Sequence, residues 1–183
     1  MKSVVLSNQK GFTLVELAMV MLIIGVLMGA IFKAQEMIEN ARVNRVVEDL
    51  IGFQASYYAY YDRTAEFPGN GEDHDRFIDY DMVGVDDGSF FSDLFSEGFI
   101  KSDNPLVAIY GTQYFANYLQ ASGDISTSNG TFLGRNQLCI INLKNTYAKS
   151  IDVRLDNGSW NTGSVRADSG YDSADTHTLC LEI

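Results

Sequence analysis

Proline, cysteine and histidine each occur only twice in this chain of 183 residues, and tryptophan once. With no proline before Pro68, nothing in the backbone chemistry forbids a single helix from the N-terminal region to that point. The two histidines, His74 in EDHDR and His177 in DTHT, lack the spacing of a zinc-binding helix or of a nucleophile and its base. No glycine-rich phosphate loop follows a strand pattern. Catalysis is therefore unsupported, and the chain reads as no enzyme. Bases are also few, 13 against 24 acids, for a formal charge of −11. Such a surface repels phosphate backbones, so no nucleic acid partner is expected. Low-complexity segments are absent, which argues against long disorder.

What the chain does have is apolar residues, 46% of the total, and a length suited to one anchored domain. Positions 12 to 32 carry no charge except Glu16. A helix of that length covers about 31 Å, enough to cross the hydrocarbon of a bilayer. Lys2 and Lys10 precede it, so residues 1–11 are expected to stay cytoplasmic and everything after Lys33 to be exported. An ordinary secretory signal ends in a small-x-small cleavage site after its apolar stretch. Here the helical pattern continues instead through KAQEMIENARVNRVVEDLIGFQASYYAYY. The candidate processing site lies before the apolar run, at Gly11, and the helix survives processing.

The segment KGFTLVELAMVMLIIGVL resembles the class III signal of type IV pilins and type II secretion pseudopilins. It combines a basic leader, Gly, Phe, a glutamate four residues on and an apolar run. The resemblance is densest from Lys10 to about Tyr61. It implies that a prepilin peptidase cuts after Gly11 and that the new amine of Phe12 is methylated. It also implies that Glu16 pairs with the Phe12 amine of a neighbouring subunit. A carboxylate in hydrocarbon is costly unless partnered, and mutual neutralisation favours one axial register. The alternative for Glu16 is snorkelling to the interface. Many relatives have a proline near the position of Lys33; this chain has none. Gly25 and Gly29 form a small-xxx-small pair, either a close helix approach or routine filler.

Beyond Phe32 the helix turns amphipathic, with Ile38, Ala41, Val46, Leu50, Phe53, Tyr57 and Tyr61 on one side. Glu39 with Arg42, and Arg45 with Glu48 and Asp49, stand at ion-pair spacing. The expected helix runs from about Thr13 to Tyr61, a rod of about 70 Å stopped by FPGNG. Its aromatic end is read as core rather than as an electron path. DDGSFFSDLFSEGF reads as a helix capped by Ser89, with Phe90, Leu94 and Phe95 inward and Gly98 as terminator. Strand patterns follow in PLVAIYG, QYFANYLQA, TFLG and QLCIINL. NTYAKSIDVRLDNG is helical, with Tyr147, Ile151 and Leu155 on one face, and TLCLEI is a last strand. The expected fold class is α+β. A long N-terminal helix, transmembrane in its first half and amphipathic in its second, packs on an antiparallel sheet head. The boundaries are 1–11 leader, 12–32 membrane and assembly helix, 33–61 amphipathic helix and 62–183 head.

An even cysteine pair in an exported region reads as one disulfide, and Cys139 and Cys180 sit in similar apolar settings that suit neighbouring strands. Such a bond contributes about 3 to 4 kcal/mol by loop entropy. It resembles the C-terminal disulfide loop of many pilins. Two loops are dense in hard oxygen ligands: RLDNGSWNTG with Asp156, Asn157 and Ser159 and, just before it, Asp152, and ADSGYDSADT with Asp168, Asp172 and Asp175. They could hold Ca²⁺, as a C-terminal loop of secretion pseudopilins does, with the second loop the better candidate. Asx-turn chemistry accounts for the same residues. No other cofactor is expected.

The resemblance implies a structural subunit of a type IV pilus-like filament. Its partners would be copies of itself, a prepilin peptidase, inner-membrane assembly machinery and, before assembly, membrane lipid. Its place would be the bacterial inner membrane and then a periplasmic or cell-surface filament. The alternatives are a pseudopilin of a type II secretion system and a low-abundance minor pilin or adhesin.

Overall fold

The computed structural model describes residues 11–71, 76–78, 81–82, 90–109, 111–118 and 134–183. The leader up to Lys10, His74, the Ser89 cap and a strand at 131–133 lie outside them. The described elements are α1 (Leu14–Thr64), β1 (Asp81–Met82), α2 (Phe90–Ser96), β2 (Gln113–Tyr118), β3 (Asn136–Lys144), α3 (Asn145–Leu155), β4 (Val165–Ala167) and β5 (Thr176–Glu182). The strands form one antiparallel sheet in the order β1-β2-β3-β5-β4. The fold is α+β, with a long N-terminal helix, and is pilin-like in its elements. Contacts divide the chain after Asn40 into two compact units.

Without a proline to break it, α1 continues for 51 residues. It stops at Ala65, which takes a left-handed φ of 61° and donates its N–H to the Tyr61 carbonyl at 2.8 Å. In the second unit the buried face of α1 is Val43, Val46, Leu50, Phe53 and Tyr57. Spacings of three and four keep these side chains on one stripe. Ile38, Ala41 and Tyr61, expected on that stripe, are exposed, and Val43 takes the place expected of Ala41. Coverage by the rest of the unit begins only at Val43, and Tyr61 instead stacks on Phe67 with ring centroids 4.3 Å apart. Phe53 meets Tyr114 of β2 and Phe91 of α2 edge to face at 5.2 and 5.3 Å, so Phe53 and Tyr57 at the aromatic end of α1 are core, as expected, while Tyr58 and Tyr61 stay exposed.

One face of the sheet supplies Tyr114, Ala116, Leu138, Ile140, Leu143, Leu179 and Leu181 to this core. The alternate residues Phe115, Cys139 and Cys180 form a second buried cluster. Alternation of side chains across the pleat separates the two. Cys139 and Cys180 are direct cross-strand partners in β3 and β5 and are disulfide-bonded, with Cα atoms 4.0 Å apart. The register between β3 and β5 shifts after Ile140, where Asn142 adopts a positive φ of 56°. That bulge returns Leu143 to the core face.

Helix α2 ends in a Schellman motif: Gly98 has φ 77°, its N–H bonds to Phe95 O at 2.9 Å, and Phe99 N–H bonds to Leu94 O at 2.8 Å. Phe91 is buried there, whereas Phe95, expected inward, is 45% exposed. PLVAIYG forms no strand in its described residues; Pro105 removes a ladder donor at its start, and Val107, Ala108 and Ile109 pack on the core as loop. The strand β4 has only three residues and no sequence pattern announced it. Asp49 and Asp93 are both half-buried and their carboxyls are pushed above the usual range, chiefly by burial. Arg45 at 3.1 Å from Asp49 and the Gly69 N–H at 2.7 Å from Asp93 oppose the shift without overcoming it.

The stripe on α1 makes a sharp expectation. Leu50, 2% exposed, lies on the buried stripe, and its neighbour Ile51, 50% exposed, is turned about 100° away from it. In denaturant unfolding of the monomer, Leu50→Ala is expected to cost about 2 to 5 kcal/mol and Ile51→Ala about 0.5 or less. Equal losses would show that the two faces are wrongly assigned.

Candidate functional site

The apolar start of α1 has no cover of its own. Phe12 is 83% exposed and Leu14 86%, and none of the most apolar 18-residue window, of mean hydropathy 2.6, is buried. A surface this large and apolar is suited to cover by lipid or by other helices. Gly25 and Gly29 fit the same picture, since a Cβ at either would meet nothing within 4 Å. Nothing inside this unit requires a glycine there, and the bare backbone is left open to an approaching helix.

Within this surface Glu16 is bonded to the residue that starts the helix. The Thr13 N–H donates to Glu16 Oε2 at 2.8 Å and the Thr13 hydroxyl donates to the same oxygen at 2.9 Å. In return the Glu16 N–H donates to Thr13 Oγ1 at 3.2 Å. Thr13 is the N-cap and Glu16 the third helical residue, a reciprocal capping box that satisfies two of the orphan donors of the first turn. The carboxylate also sits where the helix dipole favours negative charge. Phe12, Glu16, Leu17, Met19 and Val20 border a hollow of about 410 Å³ beside it. After the span, Lys33 is engaged by Glu36 at 2.7 Å. Gly11 and Phe12 directly precede the cap, outside the helix. The role of Thr13 is not among the sequence expectations, although T-L-V-E is the S/T-x-x-E signature of a capping box.

The other expected site residues lie in the second unit. Cys139 and Cys180 are brought together as stated. Asp168, Asp172 and Asp175 are not gathered into a donor set, and among the described residues no three His, Cys, Asp or Glu side chains meet in a way that could hold a metal ion. Asp168 is turned to His177, its Oδ1 being 3.1 Å from Nδ1, while Asp172 and Asp175 are exposed. In the first loop, Asp152 is fully buried; it accepts the Tyr171 hydroxyl at 2.6 Å and the Gly158 N–H at 3.1 Å. Burial, then the bond to Asp152, pushes the Tyr171 hydroxyl up, so it remains a donor. Asp156 accepts the Val165 N–H at 3.3 Å. Asn157 Oδ1 accepts the Ser159 N–H at 2.8 Å, an Asx-turn. These oxygens hold backbone and hydroxyl groups.

Thr13→Ala removes the cap and is expected to loosen the first turn by about 1 kcal/mol. Amide exchange of Leu14 to Leu17 in a detergent-bound chain should then quicken about 5-fold, with no change beyond Lys33. Unchanged exchange would remove the capping box from the account.

Comparison with family models matches residues 6–32 to the prokaryotic N-terminal methylation motif. No curated protein and no solved structure matches the chain. Gly11, Phe12, Thr13, Glu16 and the apolar run all fall within the matched segment. Residues 6–32 are the class III signal of type IV pilins and pseudopilins.

Proposed function

We propose that the chain is the precursor of a structural subunit of a type IV pilus-like filament. A prepilin peptidase hydrolyses the Gly11–Phe12 bond, leaving a Gly11 carboxylate and a Phe12 amine. Methylation of that amine keeps it cationic. The mature subunit waits in the inner membrane, held by positions 12 to 32, and is then packed among copies of itself. In the packed state the uncovered apolar face of α1 is buried, and Glu16 faces the Phe12 amine of a neighbour. The reading is structural rather than catalytic.

The observation that carries it is the bare apolar surface with one carboxylate, held only by groups of its own first turn among the hydrogen bonds described. A carboxylate moved into a dry helix bundle costs several kcal/mol unless a cation meets it. Wrong axial registers leave it unmatched, so the pair selects one register more than it adds net stability. Thr13 holds the carboxylate at the helix start until that exchange.

Glu16→Ala is expected to leave cleavage and membrane insertion intact while reducing filament yield at least 10-fold, measured on sheared surface material. Normal filaments from this variant would refute the register role. Gly11→Val should leave the precursor uncut. Mass spectrometry of sheared material reads the N-terminal residue, its methylation and the subunit's abundance together. A wild-type filament subunit that still begins at Met1 would sink the processing scheme, and low abundance would mark a minor subunit.

A further inference from the structure

The chain's one tryptophan, Trp160, is not in the core. It is 39% exposed and stands in the wall of an open hollow of about 530 Å³. That volume falls within the range of about 300 to 1,000 Å³ typical of small-ligand sites. Trp160, Tyr171, Lys149, Ser159, Asp172 and Ser173 line it, contributed by α3, the α3–β4 loop and the β4–β5 loop.

The wall is held rigidly. The Ala167 N–H donates to the Trp160 carbonyl at 2.8 Å. Around the indole the loop is tied by Asn157 Nδ2 to Thr162 Oγ1 at 3.1 Å and by Ser159 Oγ to Asn161 Oδ1 at 3.3 Å. Gly163, with φ 87°, lies so close to the Asp156 carboxylate that any Cβ would collide with it. Tyr171 is anchored beneath by the buried Asp152. The Ser173 hydroxyl donates to Gly170 O at 2.5 Å, which leaves its oxygen lone pairs free to accept. The loop that carries the indole is therefore tied on both sides of Trp160 before a ligand arrives.

The chemistry of the lining selects among ligand classes. One lysine and one aspartate give no net charge, so a simple anion gains nothing from Lys149 that Asp172 does not oppose. A quaternary ammonium needs an aromatic cage, and Tyr171, 6% exposed, offers no second open face. What remains is a neutral ligand with an apolar face for the indole and hydroxyls for a ring of mixed donors and acceptors. We propose that this hollow is a carbohydrate subsite: a pyranose C–H face stacks on Trp160, and its hydroxyls meet Lys149, Asp172 and the serines. Every residue in it belongs to the second compact unit.

The test uses the full chain in a detergent without a sugar headgroup. Methyl glycosides of glucose, galactose, mannose and N-acetylglucosamine serve as probes, followed by saturation-transfer NMR and by Trp160 fluorescence. At least one glycoside is expected to bind saturably with Kd about 1 mM and to shift the emission of the lone tryptophan. Trp160→Ala should weaken binding at least 10-fold by NMR. Asp172→Asn, at an exposed turn, should weaken it several-fold with unfolding unchanged, which separates a lost contact from a lost fold. Absence of saturable binding by all four glycosides would overturn the proposal. So would equal binding to both variants, or binding of inorganic phosphate or choline in place of the sugars.

Discussion

A carboxylate at the start of an otherwise uncharged membrane-length helix is the constraint on which the rest of this protein turns. An acidic residue at the centre of a membrane helix costs about 2.5 to 3.5 kcal/mol on insertion scales, and less towards an end. The bonds from Thr13 give the Glu16 carboxylate two donors at the helix start. In the proposed filament, with water removed on all sides, those donors are neutral and a cation is the stronger partner. The capping box and the proposed intersubunit pair thus suit two different states of one side chain.

The same helix is read by two different environments. Up to Phe32 it is apolar all round, as a helix in lipid or in a bundle must be. From Val43 onward it carries one buried stripe, and the sheet, α2 and the aromatic cluster exist to cover that stripe. The disulfide ties β3 to β5 at a directly opposed pair, on the sheet face away from the α1 core. The C-terminal strand is therefore fixed on one face by packing of Leu179 and Leu181 and on the other by a covalent bond.

Much of this was legible in the sequence because the signals were periodic or local. The long helix, Gly98 as the terminator of α2, α3, and the strands β2, β3 and β5 follow from patterns of 3.6 and 2 residues and from turn chemistry. The losses have physical reasons. Val-Arg-Ala is too short to show alternation, so β4 was invisible. PLVAIYG has strand composition, but composition does not supply a neighbouring strand edge, and its apolar residues serve the core as loop. Ile38 and Ala41 have the period of the buried stripe, yet period alone cannot say where on a long helix the covering layer begins. Thr13 was legible and was overlooked, because the glutamate three residues on had already been assigned to a partner outside the chain.

The acidic loops near the C-terminus show why a count of carboxylates misleads. Asp152, Asp156 and Asp168 look like candidate ligands in a linear sequence. In the folded chain each accepts hydrogen bonds from the Tyr171 hydroxyl, from the N–H groups of Gly158 and Val165, or faces the His177 ring. Carboxylates in this region act as acceptors that shape two loops. Having done so, they leave an indole standing at the surface, where a purely structural loop has no need of one.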